Sequence, residues 1–376
     1  HLDRSESNQD ALQVEPKESS KLSSTKTLND ILPDAEQLQD NEIVDEAELL
    51  LSMNDQSQID DGLLILMYMS EKNNSRASYL LAQLYEKGIR VEQDDERALA
   101  FYRQAALSGS EDANIYLFNY YLDADELTDD HLLLAHQWFM EAANVAKSPI
   151  AYYALAHMYG EGLGVDPDIE QAIKFYQKAA DENFVLAYEK LGNLYLLESD
   201  DPKKISDALL LFQRAANEDI ATAQYKLGYM YEEGLGVKQD YETAKFWYQR
   251  AANNNLVKAY VSLGMMYENG LGVERDNTKA AEYYRTAAEL GDIVGQNILA
   301  RLFERGLGVD KDLDRAVFWY SKAAEQNDGM AAYNLGRIFE EYESHQNLVN
   351  AKHWYKKAAE HNILEANKAL ERLGNE

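Results

Sequence analysis

Three groups of residues have types and spacings that could do chemistry. Ser23-Ser24-Thr25-Lys26 fits the Ser-x-x-Lys pattern of penicillin-recognising enzymes, where the serine is the nucleophile. Gly162-Leu163-Gly164, Gly234-Leu235-Gly236, Gly270-Leu271-Gly272 and Gly306-Leu307-Gly308 are glycine-rich segments of the kind that cradle phosphate. His345, His353 and His361 recur about every two helical turns, a spacing a metal ion could use.

Each chemistry needs elements that position it, and the sequence does not supply them. Ser23 sits in a polar, acidic stretch with nothing to preorganise a nucleophile. A phosphate loop follows a strand, whereas a helical pattern precedes every one of these glycine pairs. The histidines have no cysteine anywhere in the chain to complete a site, and no carboxylates at ligand spacing. No nucleophile, base and orienting group can be assembled from the pattern. The expectation is therefore no catalytic, cofactor-binding or metal residue, and no cofactor.

The chain has 376 residues and a net charge of −30, with 46% hydrophobic residues. That is enough apolar material for a core. The acidity argues against nucleic acid as a partner and against an anionic membrane surface, since both demand clustered Lys and Arg. The longest apolar run, Leu63 to Met69, is far short of the roughly 20 residues that span a bilayer. The absence of an initiating Met and of a signal-peptide pattern leads us to expect a processed, extracytoplasmic (periplasmic or secreted) protein. Residues 1–44, rich in Ser, Gln, Asp and Glu and carrying net −6, read as a flexible acidic arm. Residues 45–76 contain two short apolar stretches and read as a degenerate capping helix pair.

From Ala77 onward the chain is periodic. Equivalent starts fall at Ala77, Ala113, Ala151, Ala187, Ala223, Ala259, Gly295 and Ala331, spaced by 36 residues except for one interval of 38. A last helix starts at Ala366. In one unit, Ala223, Leu227, Met230 and Tyr231 make an apolar stripe of helical period. Gly234 ends that helix, and Asp240 is placed to cap the next, which carries Ala244, Tyr248 and Ala251-Ala252. Gly228 and the alanine pair are small enough for two helix backbones to approach closely. Each unit is thus a helix hairpin that must stack on its neighbours to bury its remaining apolar faces.

The pattern Ala-x-x-x-Leu-Gly-x-x-Tyr-x-x-Gly-x-Gly-Val-x-x-Asp, followed by an alanine-flanked Trp/Tyr-Tyr, resembles the Sel-one-like repeat family, relatives of the tetratricopeptide repeat. The resemblance covers residues 77–376. It departs at Asp123 to Asp130, at Glu198 to Pro202 and at Glu340 to His345, where the glycine loop is replaced. It implies an all-α fold, a right-handed superhelical solenoid of stacked helix hairpins. It also implies a scaffold for protein complexes, of a kind found in bacterial envelope or secreted proteins and in endoplasmic-reticulum quality control. On that basis residues 77–376 are eight repeats plus a C-terminal capping helix.

One face remains. Positions three, seven and eleven of the first helix form an i, i+4, i+8 stripe that varies between repeats while the packing positions do not. In a tetratricopeptide-like stack this stripe lines the concave surface. It carries Tyr79, Tyr153, His157, Tyr225, Tyr229, Met265, Arg301, Arg305, Tyr333 and Arg337, side chains of the types enriched at binding hot spots. We expect these residues to bind a peptide or helix of a partner protein, with no enzymatic activity. The charge is also polarised: residues 1–186 carry −23 and residues 187–376 carry −7. A basic partner segment is expected toward the N-terminal half. Alternatives are a secreted effector adaptor engaging host proteins, and an envelope enzyme or small-molecule binder acting on cell-wall or β-lactam compounds.

Overall fold

A computed structural model describes residues 26–122, 128–197 and 201–374. Ser23 to Thr25 of the Ser-x-x-Lys match, the first 25 residues of the expected arm, and parts of two departing loops (123–127 and 198–200) lie outside these. Among the described residues the regular structure is entirely helical. The chain divides into two compact units, His1–Glu182 and Asn183–Glu376.

The first unit opens with a short helix, Leu28–Ile31, and a 3-10 turn, Ala35–Gln37. The pair Asp40–Ser52 and Gln56–Glu71 follows. Three hairpins come next: Ser75–Lys87 with Asp95–Leu107, Glu111–Leu122 with Asp129–Val145, and Pro149–Glu161 with Ile169–Asp181. Helical structure thus starts inside the stretch that composition assigned to the arm. The reason is local: Ile43 and Val44 are buried along with Ala47, on a helix that packs against Gln56–Glu71. Two apolar residues in an otherwise acidic stretch suffice to dock a helix end, and an average over 44 residues hides them.

The second unit holds five hairpins and a closing helix. The hairpins are Val185–Leu197 with Pro202–Asn217, Ala221–Glu233 with Tyr241–Asn253, Val257–Asn269 with Asn277–Glu289, Ile293–Arg305 with Leu313–Glu325, and Gly329–Glu341 with Leu348–Glu360. Leu364–Gly374 closes the unit.

Helix ends follow the repeat. Asp94, Asp168, Asp240, Asp276 and Asp312 each cap a second helix, their carboxylates accepting from backbone amides of the first turn. Gly162, Gly234, Gly270 and Gly306 end first helices in the left-handed conformation. The second glycine of each loop does something the sequence did not reveal. Gly308 has φ +70°, and a Cβ there would sit 2.0 Å from the carbonyl oxygen of Asn277, at the start of the preceding hairpin's second helix. Gly272 meets Tyr241 in the same way, with a Cβ at 2.6 Å. These glycines are the points where one repeat closes on the one before it.

The turn leading to the next repeat uses a second left-handed position. Asn73, Asn183, Asp219, Asn255, Asn327 and Asn362 occupy it with φ near 60°, and Gly109 and Gly291 stand in for Asn. Gly228 permits close approach, as expected, but what fills its space is chiefly a ring. A Cβ there would lie 2.7 Å from Tyr248. Gly264 and Gly336 leave the same room for Tyr284 and Tyr355.

Candidate protein-binding face

The expected stripe divides by position. At position three, Tyr79, Tyr153, Tyr225 and Tyr333 are half-buried. Each lays its ring against the second-helix tyrosine of its own hairpin: Tyr102 at 5.6 Å, Tyr176 at 5.4 Å, Tyr248 at 5.2 Å and Tyr355 at 5.7 Å between centroids. These rings are held against the scaffold, and Tyr153 also meets Phe118 of the preceding repeat at 5.9 Å between centroids. Tyr225 also accepts from Ser262 of the next repeat at 3.4 Å.

At position seven the residues differ in freedom. His157 is half-buried. Tyr229 and Met265, on successive first helices, are 42% and 40% exposed. Arg301 and Arg337 are tied down. The Arg301 guanidinium donates to Glu268 at 3.2 Å. Arg337 donates to Glu304 and, at 3.2 Å, to Glu341. Burial alone would lower the Arg337 pKa, and the hydrogen bond and charge of Glu304 more than offset it, holding the guanidinium charged. Arg305, at position eleven, is exposed.

The glutamates that hold these arginines form a system the sequence reading missed. Tyr102, Tyr248, Tyr284, Tyr320 and Tyr355 donate their hydroxyls to Glu86, Glu232, Glu268, Glu304 and Glu340 of their own hairpins, at 2.5–3.3 Å. Burial first, then the glutamate hydrogen bond and charge, pushes the Tyr248 and Tyr284 hydroxyls far above the usual phenol range. In three repeats the carboxylate also binds the position-seven arginine of the next one: Arg301, Arg337 and Arg372. A signal was present, because Glu recurs at one position of five repeats. The three exceptions, Leu122, Gly160 and Leu196, stand in repeats whose second-helix rings are Phe139, Tyr176 and Phe212, so two of the three have no hydroxyl there to need a carboxylate.

The histidines separate. His345 contacts Asp314 at 3.0 Å and Ser344 at 2.8 Å, His353 packs edge-on against Trp354, and His361 faces Gly329. Among the described residues no group of three or more acidic or histidine side chains is arranged to hold a metal, and no helix is long and apolar enough to cross a membrane.

The hairpin geometry, the paired left-handed glycines and the repeat length define a class: a solenoid of short helical repeats in which neighbours share contacts. The Sel1 repeat profile matches residues 75–110, 149–184, 185–219, 221–256, 257–292, 293–328 and 329–363, roughly two thirds of the chain. The chain belongs to the Sel1 repeat family. The segment Glu111–Val145 has no profile match yet folds as a hairpin in series with its neighbours.

Among solved structures, the chain is similar to c5321, a protective antigen present in uropathogenic Escherichia coli strains and displaying the same repeat fold. The TM-score is 0.71 and the identity 28%, over 92% of this chain and 74% of that one. A Sel1 repeat protein from Oxalobacter formigenes aligns with a TM-score of 0.55 and 30% identity, over 65% of this chain and 94% of that one. Among curated proteins, the chitin synthase regulator SKT5 of Saccharomyces cerevisiae is 40% identical over 114 residues, 30% of this chain but 16% of the yeast protein. The chain thus spans only a small part of that relative. Sel1 repeat proteins generally mediate contacts between proteins, and their scaffolds are generally non-enzymatic.

Proposed function

We propose that this chain is a non-enzymatic adaptor that holds a peptide or helix of a partner protein on its first-helix face, concave in solenoids of this family. The observation that carries the reading is the exposure of Tyr229 and Met265 at one position of successive repeats, on a face where Tyr225 leans on Tyr248 and Arg301 and Arg337 are bound by glutamates. An exposed aromatic and a flexible thioether give contact area without a packing role. The acidity of residues 1–186 supports a basic partner segment toward the N-terminal half. Tyr79, Tyr153, His157, Tyr333 and Arg305 extend the same face.

The names of the relatives support an adaptor role. One is a regulator of chitin synthase, and another, from Arabidopsis thaliana, is a component of an ERAD-associated ubiquitin ligase. Likeness to a protective antigen supports an extracytoplasmic location, since antibodies reach such antigens.

The test is crosslinking and recovery of the native partner with the full chain as bait, followed by mass spectrometry. The double variant Tyr229→Ala/Met265→Ala should lose at least tenfold of the recovered partner, with an unchanged circular dichroism spectrum and melting temperature. Equal recovery with wild type and variant would reject the face.

A further inference from the structure

The three bridged glutamates share one arrangement, and a fourth reproduces it with a part missing. In Glu268, Glu304 and Glu340, Oε2 accepts from the tyrosine of the same hairpin and Oε1 from the arginine of the next repeat. In Glu232, Oε2 accepts from Tyr248 at 2.5 Å, and Oε1 has no partner among the described residues. The position that supplies the arginine elsewhere is Met265, and it is exposed. Glu86 also lacks a bridging arginine, because Asn119 stands at that position, but two tyrosines, Tyr102 and Tyr116, hydrogen-bond it.

We propose that Glu232 is a receptor for an arginine side chain of the partner protein, which takes the place that Arg301, Arg337 and Arg372 fill for their own glutamates. This rests on the reading of the first-helix face as a protein-binding surface and names the chemistry it selects. The chain itself supplies the template: three times over, a guanidinium is the group that completes a Tyr–Glu pair in this fold. Tyr229 is one helical turn before Glu232 on the same helix, Met265 stands at the arginine's own position on the next first helix, and both are exposed, so an aromatic ring and a flexible thioether are available to the incoming cation. Arginine fits better than lysine because its planar fork can donate to Oε1 while its face stays against apolar atoms.

The test uses the full chain with 13C-labelled methionine methyls and N-acetyl-arginine amide as probe, with N-acetyl-lysine amide as control. The Met265 methyl should shift saturably with the arginine probe and at least threefold more weakly with the lysine one. Glu232→Gln, which keeps an acceptor for Tyr248, should weaken the arginine probe at least fivefold. Met265→Arg installs the in-chain arginine of the sister repeats and should abolish saturable binding seen from the probe's own signals. Should that variant fail to fold, Glu232→Gln decides alone. Unchanged affinity in Glu232→Gln, no saturable shift at Met265, or equal affinity for lysine would each overturn the assignment. If Tyr229→Ala/Met265→Ala loses the native partner while the arginine probe leaves Met265 unmoved, the adaptor reading stands and the arginine site falls.

Discussion

The hydroxyl of Tyr284 donates to Glu268 at 2.7 Å, joining the two helices of one hairpin through a carboxylate that also receives Arg301 of the next hairpin. Tyr284 is fully buried, so its hydroxyl has no water to turn to. One carboxylate therefore satisfies a buried donor within a repeat and fixes the register between repeats.

Removing that carboxylate should cost accordingly. Glu268→Ala strands the Tyr284 hydroxyl and releases Arg301, and is expected to destabilise by about 2–3 kcal/mol. Tyr284→Phe removes the donor as well as its need for an acceptor, and should cost about 1 kcal/mol. Urea unfolding of the two variants, with hydrogen exchange to localise the loss to residues 257–305, checks the order.

Gly308 and Gly291 both have positive φ but differ in their surroundings. A Cβ at 308 would meet backbone of Asn277, whereas at 291 it would meet nothing within 4 Å. Gly291→Ala should cost only the left-handed strain, about 1–2 kcal/mol. Gly308→Ala should add an unrelieved clash between repeats and exceed about 3 kcal/mol. Thermal melts of the two variants side by side would contradict the inter-repeat role of Gly308 if they shifted equally.

The start of the fold can be placed by truncation. A chain beginning at residue 45 loses the buried Ile43 and Val44, while one beginning at residue 40 keeps them. The shorter chain should lose about 3 kcal/mol from the first helix pair. Protease sensitivity of residues 45–71 and the first unfolding transition report it.

Asp240 titrates below its ordinary range. The Thr243 hydroxyl, at 2.7 Å, and the backbone amides of Thr243 and Glu242 hold its carboxylate charged, so its pKa lies below 3.8. A carboxyl with a folded-state pKa below its unfolded value stabilises the fold above about pH 4, and that contribution disappears as pH falls through the folded value. A carbon-detected titration of the Asp240 carboxyl should show the depressed midpoint, and Thr243→Val should raise it. An unmoved midpoint in that variant would remove the hydroxyl as the main cause.

The repeat itself was legible because packing in a solenoid is local. Each hairpin meets the same neighbours, so Ala, Leu, Gly and Tyr recur at fixed positions, and the caps at Asp240 and Gly234 could be read directly. The Asn255-type turn and the Glu268-type carboxylate also recur, but their meaning was hidden. An asparagine in the left-handed region and a glutamate beneath a tyrosine hydroxyl are recognised by geometry and not by periodicity. In the arm, the burial of Ile43 and Val44 escaped an argument built on average composition.

The face was only half legible. Variation between repeats marked Tyr225, Tyr229, Met265, Arg301 and Arg337 alike as free of packing duty. The structure separates them: Tyr225 leans on Tyr248, and Arg301 and Arg337 neutralise glutamates of the repeat before, while Tyr229 and Met265 stand exposed. Sequence by itself determined the hairpin, its length and its stacking, because the 3.6-residue period and the small-residue positions dictate which surfaces must be buried. Only the tertiary structure decided which surface side chains are spoken for. A residue 33 positions away in sequence, as Arg301 is from Glu268, becomes a neighbour only when one repeat is laid against the next.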